Sequence, residues 1–333
     1  MKAVIAYNIF KLRNLWTRLA SSNLYLTPFQ YYNYNRNLFF DRWFHFYKTR
    51  LIPFFIIVYD NDTPIMIAPL LKTVRGNAYM LGDIQGCGVT DFIYLKEATE
   101  EQLAKALSLV INNCNQLYLG RLKSTSPIYK FCAHHLDDSN VTTDTLVEIH
   151  FGNNYNEYFS GLSKHVRQNL RTSYNRLQTD NLSYSLQIIK KRQMNSQIWK
   201  EVNDIYCTRQ IENYGAEKGL RLKNSIFKHD SLSLRYNENL FAAILYYNQV
   251  ISAVFMGLID NNGNRIVVPR LAINNEYSRY SPGNQLINEA IKYLIENTNV
   301  RTLDLSRGTE KYKYMMGGTE YFTKNFLMLP NSI

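Results

Sequence analysis

The run Tyr280-Ser281-Pro282-Gly283-Asn284-Gln285-Leu286 sets small residues and a proline at the mouth of an apolar stretch of helical period. Proline suits the first helical position, where its missing N–H would have no partner anyway. Glycine lets another group approach the backbone closely. The first N–H groups of such a helix lack internal acceptors and sit at the positive end of its dipole, so the run has the make-up of an anion site, suited to the pyrophosphate of a nucleotide or of coenzyme A. Ser281, Pro282, Gly283, Asn284, Gln285 and Leu286 are the candidate residues; the same run also serves as an ordinary helix start with Ser281 as N-cap. A second feature is basic: Lys164, Arg167 and Arg171 recur at i, i+3 and i+7 and share one helical face. Guanidinium groups held this way can grip an anionic acceptor bidentately, or the face can simply be solvated.

The elements that position these residues are legible in the second half of the chain. Asn239 to Tyr247, Val250 to Ile259 and Arg265 to Ile273 are apolar runs separated by short polar turns, which predicts an antiparallel three-strand meander. Pro269 and Arg270 interrupt the third run. Proline has no ladder N–H, so a bulge that splays the sheet is expected there, and Arg270 is a substrate-binding candidate. From Pro282 the period changes: Leu286, Ile287, Ala290, Ile291, Leu294 and Ile295 form one helical stripe. Val300 to Leu305 is a strand, which the crossover helix makes parallel to its predecessor. A short helix around Glu310 to Met316 and a strand from Tyr321 to Leu329 follow. Ser163 is the expected N-cap of a helix from Leu162 to Gln178, whose apolar stripe is Val166, Leu170, Tyr174 and Leu177.

The first half shows the same order more faintly. Leu51 to Asp60 and Thr63 to Val74 make a hairpin. Asn77 to Leu81 and Asp91 to Leu95 are strands, Glu97 to Asn113 a helix, and Gln116 to Leu119 a strand. FFIIVYDNDTPIMIAPLLK beside FAAILYYNQVISAVFMGLI reads as one hairpin used twice, a degenerate duplication. The first copy lacks the Ser-Pro-Gly entry to its helix, so a single donor site is expected, in the second half. His150 to Asn156 is a polar linker between the halves.

Composition bounds the rest. The 333 residues are 46% hydrophobic and 20% charged, which excludes wholesale disorder and allows two domains. Thirty-eight Lys and Arg against 27 Asp and Glu give a formal +11, pointing to an anionic partner. No run of five like charges occurs, so the excess is spread over the surface rather than held in a basic tail. Cys87, Cys114, Cys132 and Cys207 form no C-x-x-C pair and have no metal-ligand spacing with nearby histidines. They read as reduced thiols, and no metal is expected. Lys11 and Arg13 break the N-terminal apolar stretch and no run reaches 18 apolar residues, so a cytoplasmic protein with no membrane contact is expected.

Three blocks carry a resemblance to a known family. LSKHVRQNLR (Leu162 to Arg171), YSPGNQL (Tyr280 to Leu286) and DLSRGTEKYK (Asp304 to Lys313) stand in the order of the CelD/BcsL-type acetyltransferases, a GNAT branch related to the FemABX aminoacyl transferases. The likeness spans about residues 155 to 315, with a weaker echo near Ile65-Ala68-Pro69-Leu70. It implies an α/β (α+β) fold of tandem GNAT-like domains, each a mixed, mostly antiparallel sheet flanked by helices. Residues 1–150 would be a degenerate domain contributing to an acceptor groove, and 151–333 the domain with the acyl-CoA site. The chain departs from the general GNAT turn Q/R-x-x-G-x-G/A, because Tyr280 and Gln285 hold its outer places.

The resemblance further implies transfer of an acyl group from a thioester to an amine. The third meander strand would pair with the pantetheine arm through Leu271 and Ile273, and a backbone N–H would polarise the thioester carbonyl. Asp304, at the carboxyl end of the parallel strand, would orient or deprotonate the amine, with Glu310 as a second candidate. Tyr312 resembles the general acid beside the leaving sulfur, and Lys313 would bind a phosphate or stabilise the oxyanion. Arg307, Asp83 and Asp91 complete the acceptor-side candidates, the last two around Gly82 to Gly88. The expected reaction is N-acylation of a nucleotide-linked amino sugar for surface polysaccharide. The alternative is a FemABX-type transferase using aminoacyl-tRNA, which requires a broad positive surface and salt-dependent binding. A basic binding module without catalysis is disfavoured, since no RNP, zinc-finger or recognition-helix signature occurs.

Overall fold

The computed structural model describes residues 1–23, 25–41, 51–83, 88–191, 193–217 and 231–330. Cys87 and most of the segment 82–88 lie outside the described residues, as does the side chain of Asp83. The chain divides into two compact units, Met1–Thr145 with Phe322–Ile333, and Leu146–Tyr321.

In the first unit the strands are β1 (Lys2–Ala6), β2 (Ile52–Asp60), β3 (Thr63–Lys72), β4 (Asn77–Met80), β5 (Ile93–Tyr94) and β6 (Gln116–Lys123). Its helices are α1 (Arg13–Ser22), α2 (Tyr32–Asp41), α3 (Glu100–Ile111) and α4 (Pro127–His135). β1, β2, β3 and β4 pair antiparallel in that order, and β6 joins β4 in parallel. The parallel step follows from α3, which crosses over between β4 and β6. Thr99 starts α3 with a capping box, its Oγ1 accepting from the Gln102 N–H while Gln102 accepts from the Thr99 N–H. Leu103, Ala106, Leu107, Val110 and Ile111 then lie in the core beside Phe54, Ile56, Val58 and Leu117.

The second unit takes the end of β7 (Val141–His150), α5 (Tyr155–Gly161), α6 (Lys164–Thr179), β8 (Tyr184–Lys190), α7 (Ser196–Tyr214), β9 (Leu240–Tyr247), β10 (Val250–Ile259) and β11 (Arg265–Ile273). After these come α8 (Pro282–Asn297), β12 (Thr302–Arg307), α9 (Lys311–Met315) and β13 (Gly318–Met328), whose residues from Phe322 on belong to the first unit and pair β6. β8, β9, β10 and β11 pair antiparallel, β12 joins β11 in parallel, and β7 closes the row antiparallel to β12. The meander, crossover helix and parallel strand expected from the sequence are therefore present, and the first unit repeats their order. The β9–β10 hairpin turns on Asn248 and Gln249, both at positive φ, the backbone that a two-residue turn between right-twisted strands requires.

One face of the second unit's sheet carries α8. Leu286, Ile287, Ala290, Ile291 and Leu294 are all buried there against Phe241, Ala243, Leu245, Phe255 and Ile266. Each leucine, isoleucine and phenylalanine among them contributes about 1.5–3 kcal/mol on removal from water. α7 packs on β10 and β11.

The bulge expected at Pro269 is present. Leu258 faces Val267 and Met256 faces Arg270, so Gly257 alone opposes Val268 and Pro269. One extra residue reverses the facing of everything after it. Ile266 and Val268 join the α8-side core before the bulge, Leu271 and Ile273 after it. By the same alternation, Arg265 and Arg270 come to share the opposite face. Gly257 permits this, because a Cβ there would stand 2.6 Å from Ile266 Cγ2 and 2.9 Å from the Val267 carbonyl oxygen. Gly257→Ala will lower stability by about 1–3 kcal/mol, seen as a fall in the urea midpoint at unchanged m-value.

Candidate functional site

β11 and β12 stay together only from Arg265–Thr302 to Val267–Asp304. Beyond that point β11 pairs with β10 alone. The Asn274 N–H donates to the Ser252 carbonyl of β10 at 2.8 Å. Alternation along the strand then turns the N–H groups of Leu271 and Ile273 toward the edge that β12 has left. These are the two strand residues the sequence marks for the donor.

From β11 the chain turns through Asn275–Tyr280 to Ser281, which lies in the left-handed region (φ 53°, ψ 50°). That backbone is unfavourable for a non-glycine residue by about 1–2 kcal/mol. Two anchors hold it: the Tyr280 hydroxyl and the Arg279 guanidinium both donate to Asp180 Oδ2, at 2.6 and 2.7 Å. Pro282 takes the first position of α8. The Ser281 side chain makes no capping bond, contrary to the N-cap expectation, because the αL backbone belongs to a different helix entry. Its carbonyl instead accepts from the Asn284 and Gln285 N–H groups. A Cβ on Gly283 would lie 3.2 Å from Ile273 Cγ2, so the mouth of α8 rests directly on the open end of β11.

Two of the marked side chains do not face a ligand. Gln285 is fully buried, donating to Ser173 Oγ (2.8 Å) and the Tyr280 carbonyl (3.2 Å) and accepting from the Tyr247 hydroxyl (2.8 Å). It ties the helix mouth to α6 and β9. Leu286 is equally buried, in the core. What remains for a ligand here is backbone, together with Gly283 and Asn284, which are half-buried.

Asp304 sits where β11 and β12 part, 2% exposed. Its carboxylate accepts from the Tyr321 hydroxyl (2.7 Å), Arg265 Nη1 (3.2 Å) and the Ser306 N–H (2.9 Å). Arg265 Nη1 also donates to Glu148 Oε2 at 2.5 Å, and Glu148 Oε1 meets His150 Nε2 at 2.9 Å. Burial opposes the charge on Arg265, but Asp304 and Glu148 outweigh it and hold the guanidinium above its ordinary value. Burial, then the Asp304 carboxylate, pushes the Tyr321 phenol far up. A carboxylate with three donors is a poor base, so this geometry suits Asp304 to holding other groups in place. Arg265, Glu148 and Tyr321 were not marked in the sequence. The signal was a charge inside an apolar strand, which must find a buried counter-charge, although spacing does not say which one.

Lys313 is also 2% exposed. Its Nζ donates to the carbonyls of Ser306 (3.2 Å), Arg307 (2.9 Å) and Gly308 (3.1 Å) and pairs with Glu310 at 3.0 Å. Burial lowers its pKa, against the pull of Glu310. The ammonium thus clamps the turn after β12, where Ser306 and Gly308 both have positive φ. Tyr312 is half-buried against the core, and burial, then Glu310, raises its phenol above the usual value. Arg307 and Glu310 are exposed.

The basic helix face is partly spoken for. Arg167 Nη1 donates to the carbonyls of Ser160 (2.6 Å) and Leu162, closing the end of α5. Arg171 lies over the Phe159 ring at 5.9 Å, and Lys164 is exposed. Arg270 is 7% exposed and stacks on Tyr206 of α7 at 5.2 Å. In the first unit Asp91 is 3% exposed, accepting from the Tyr94 hydroxyl (2.6 Å) and the Phe92 N–H (2.7 Å). It is an interior carboxylate rather than one presented to an acceptor.

Residues 164–314 match the family model described as an acetyltransferase (GNAT) domain. No curated protein matches the sequence. Among solved structures the chain is similar to FemX (10% identity, TM-score 0.61, 99% of this chain and 97% of that one). It is similar also to a conserved protein of unknown function from Bacteroides thetaiotaomicron VPI-5482 (12%, 0.59, 98% and 99%). A third is the C-terminal domain of a putative lysylphosphatidylglycerol synthetase from Agrobacterium fabrum (10%, 0.52, 97% and 93%). At these identities the likeness is one of fold. The fold is mixed α/β with GNAT-type topology, and the matched segment contains the β11 edge, the α8 mouth, Asp304, Tyr312 and Lys313.

Burial raises the Asp91 carboxyl to about 7, against the hydrogen bonds that lower it. The folded chain therefore binds more protons than the unfolded chain between about pH 4 and 7, and its stability falls as pH rises through that window. Asp91→Asn keeps an acceptor for Tyr94 and Phe92 but cannot ionise. Thermal denaturation will show the variant gaining on the wild type from pH 4 to pH 7, by up to a few kcal/mol, and a constant difference above pH 8.

Proposed function

We propose that the chain is an N-acyltransferase that takes an acyl group from acyl-coenzyme A and places it on the amine of a nucleotide-linked amino sugar, a step in making surface polysaccharide. The observation that carries the reading is the open edge of β11 beside the mouth of α8. A strand edge with outward N–H groups at Leu271 and Ile273 fits an amide-bearing pantetheine arm. The backbone at Gly283 and the positive dipole end of α8 fit its pyrophosphate; Pro282 has no N–H, and those of Asn284 and Gln285 donate to the Ser281 carbonyl. Bound there, the donor supplies an acyl group activated as a thioester.

The chain's own residues then have separate tasks. A strand N–H polarises the carbonyl and holds negative charge that develops on its oxygen. The carbon–nitrogen bond forms as the carbon–sulfur bond breaks; the amine gives up a proton and the departing thiolate takes one. Tyr312, at the place of the general acid in the DLSRGTEKYK resemblance, is the donor of that second proton; a phenol is protonated at neutral pH at its ordinary value. Asp304 and Lys313 are positioning residues, the first holding Arg265 and Tyr321, the second holding the turn after β12. Arg270, Arg307, Glu310 and Lys164 are the groups proposed to meet the acceptor. Arg167 and Arg171 shape the corner between α5 and α6 and meet it only through exposed atoms.

A second reading, aminoacyl transfer from tRNA, is favoured by the full-length likeness to the FemX fold and by the formal charge of +11. Isothermal titration separates the two. Coenzyme A binding at one site per chain supports the first; salt-sensitive tRNA binding with none to coenzyme A replaces it with the second. Gly283→Asp sets a carboxylate at the helix mouth and will weaken coenzyme A at least about tenfold, whereas Gly283→Ala, which presses only on Ile273 Cγ2, will bind nearly as the wild type. Unchanged affinity in Gly283→Asp removes the donor from α8. Tyr312→Phe will lower kcat about 10²-fold or more with coenzyme A affinity unchanged.

A further inference from the structure

Residues 1–40 contain Lys2, Lys11, Arg13, Arg18 and Arg36 and no aspartate or glutamate. Within this stretch, Ile9, Leu12, Trp16 and Leu19 form the buried stripe of a 3-10 turn and α1. The side chains between them point outward: Phe10, Lys11, Arg13 and Arg18. Asn8 caps the turn, accepting from the Phe10 N–H at 2.9 Å, which fixes where the Phe10 ring emerges. That ring meets Phe40 of α2 at 5.6 Å, and both are left near half-exposed (49% and 45%), with Tyr7 at 59%. Arg36 stands one helical turn before Phe40 and so on the same face of α2.

Exposed aromatic rings among lysines and arginines, with no acidic residue up to Phe40 and with Asp41 at the end of α2 buried (8% exposed), have the chemistry of a surface that enters the boundary of an anionic bilayer. The rings displace headgroup water and the cations pair with lipid phosphates. Single-stranded nucleic acid requires open ring faces for stacking. Phe10 and Phe40 lie tilted at 41° against one another and partly occupy each other's faces. We infer that the Phe10–Phe40 patch of the first unit is a peripheral docking surface for a membrane rich in anionic lipid. Among the described residues no helix is long and apolar enough to cross a membrane, so the contact is with the bilayer surface. It departs from the sequence-based expectation of no membrane contact. The inference does not depend on the acyl-transfer reading.

Co-sedimentation of the full chain with vesicles tests it, using phosphatidylcholine mixed with phosphatidylglycerol and phosphatidylcholine alone. The chain will sediment with the mixed vesicles, poorly with the neutral ones, and less as salt is raised. Phe10→Ser with Phe40→Ser, and separately Lys11→Glu with Arg13→Glu, will each lower the partition coefficient on the order of tenfold. The charge pair lies on exposed side chains, so it keeps the test decisive if the phenylalanine pair does not fold by circular dichroism. Failure to bind mixed vesicles, or wild-type partition in a folded charge variant, overturns the proposal. So does binding of mixed RNA that the charge variant loses while vesicles are ignored, which would assign the patch to nucleic acid.

Discussion

A single inserted residue governs the second unit. Until Val267 the third meander strand is an interior strand, held by β10 on one side and β12 on the other. At Gly257 two residues oppose one, the strand bends, and β12 is left behind. Without that step the N–H groups of Leu271 and Ile273 would be ladder donors like any others. The close approach of β10 to β11 at this point is possible only because residue 257 has no side chain. The proline at 269 stands in the phase of Leu271, so its lack of an N–H falls where no β10 bond is lost.

The bulge also determines which charges share a face. Strict alternation would send Arg265 and Arg270 to opposite faces. Reversed by one residue, Arg270 joins Arg265 on the face away from α8, where the register of β12 and β7 ahead of the bulge already sets Arg265 beside Asp304 and Glu148. The Asp304 carboxylate, 2% exposed, is tolerable only with a counter-charge, which the partly exposed Arg265 supplies while it also meets Glu148. Tyr321 completes the set from the chain's last strand. The Lys313 clamp extends the same logic to the turn after β12: a buried ammonium is satisfied by three carbonyls that the turn's unusual backbone would otherwise leave unpaired. Rigidity of the site thus derives from buried polar contacts on one face, while the α8 face is held by apolar packing.

Local signals carried much of the architecture. Asn248-Gln249 marked a hairpin, the stripe from Leu286 to Ile295 marked a helix against a sheet, and Pro269 marked a bulge. All three rest on short-range rules of backbone conformation and period. The signals failed where a residue's role depends on what lies opposite it. Gln285 read as a ligand-facing residue because it follows the Ser-Pro-Gly entry, yet its amide is consumed by Ser173, Tyr280 and Tyr247 from three other segments. Arg167 and Arg171 shared a helical face as expected, but that face meets α5, whose carbonyls and Phe159 ring engage them. Helices α2 and α7 and strand β8 had weak or interrupted periodicity; β1, α4, β7 and α5 also became visible only in the fold, as did α1, although its stripe from Leu12 through Trp16 to Leu19 is regular.

Taken by itself, the sequence determined the core order of hairpin, strand, helix and strand in both halves, its repetition, the break in β11 and the helix entry at Ser281 to Gly283, because these depend on neighbours within a few residues. Tertiary structure alone decided which of the marked side chains reach the site. It turned Asp304 and Lys313 into anchors, put Asp91 in a core and brought Gly283 against Ile273. The physical reason is that a buried polar group is defined by its partners, and those partners, Arg265 for Asp304 and the β12 turn for Lys313, are chosen by strand register and burial rather than by spacing along the chain.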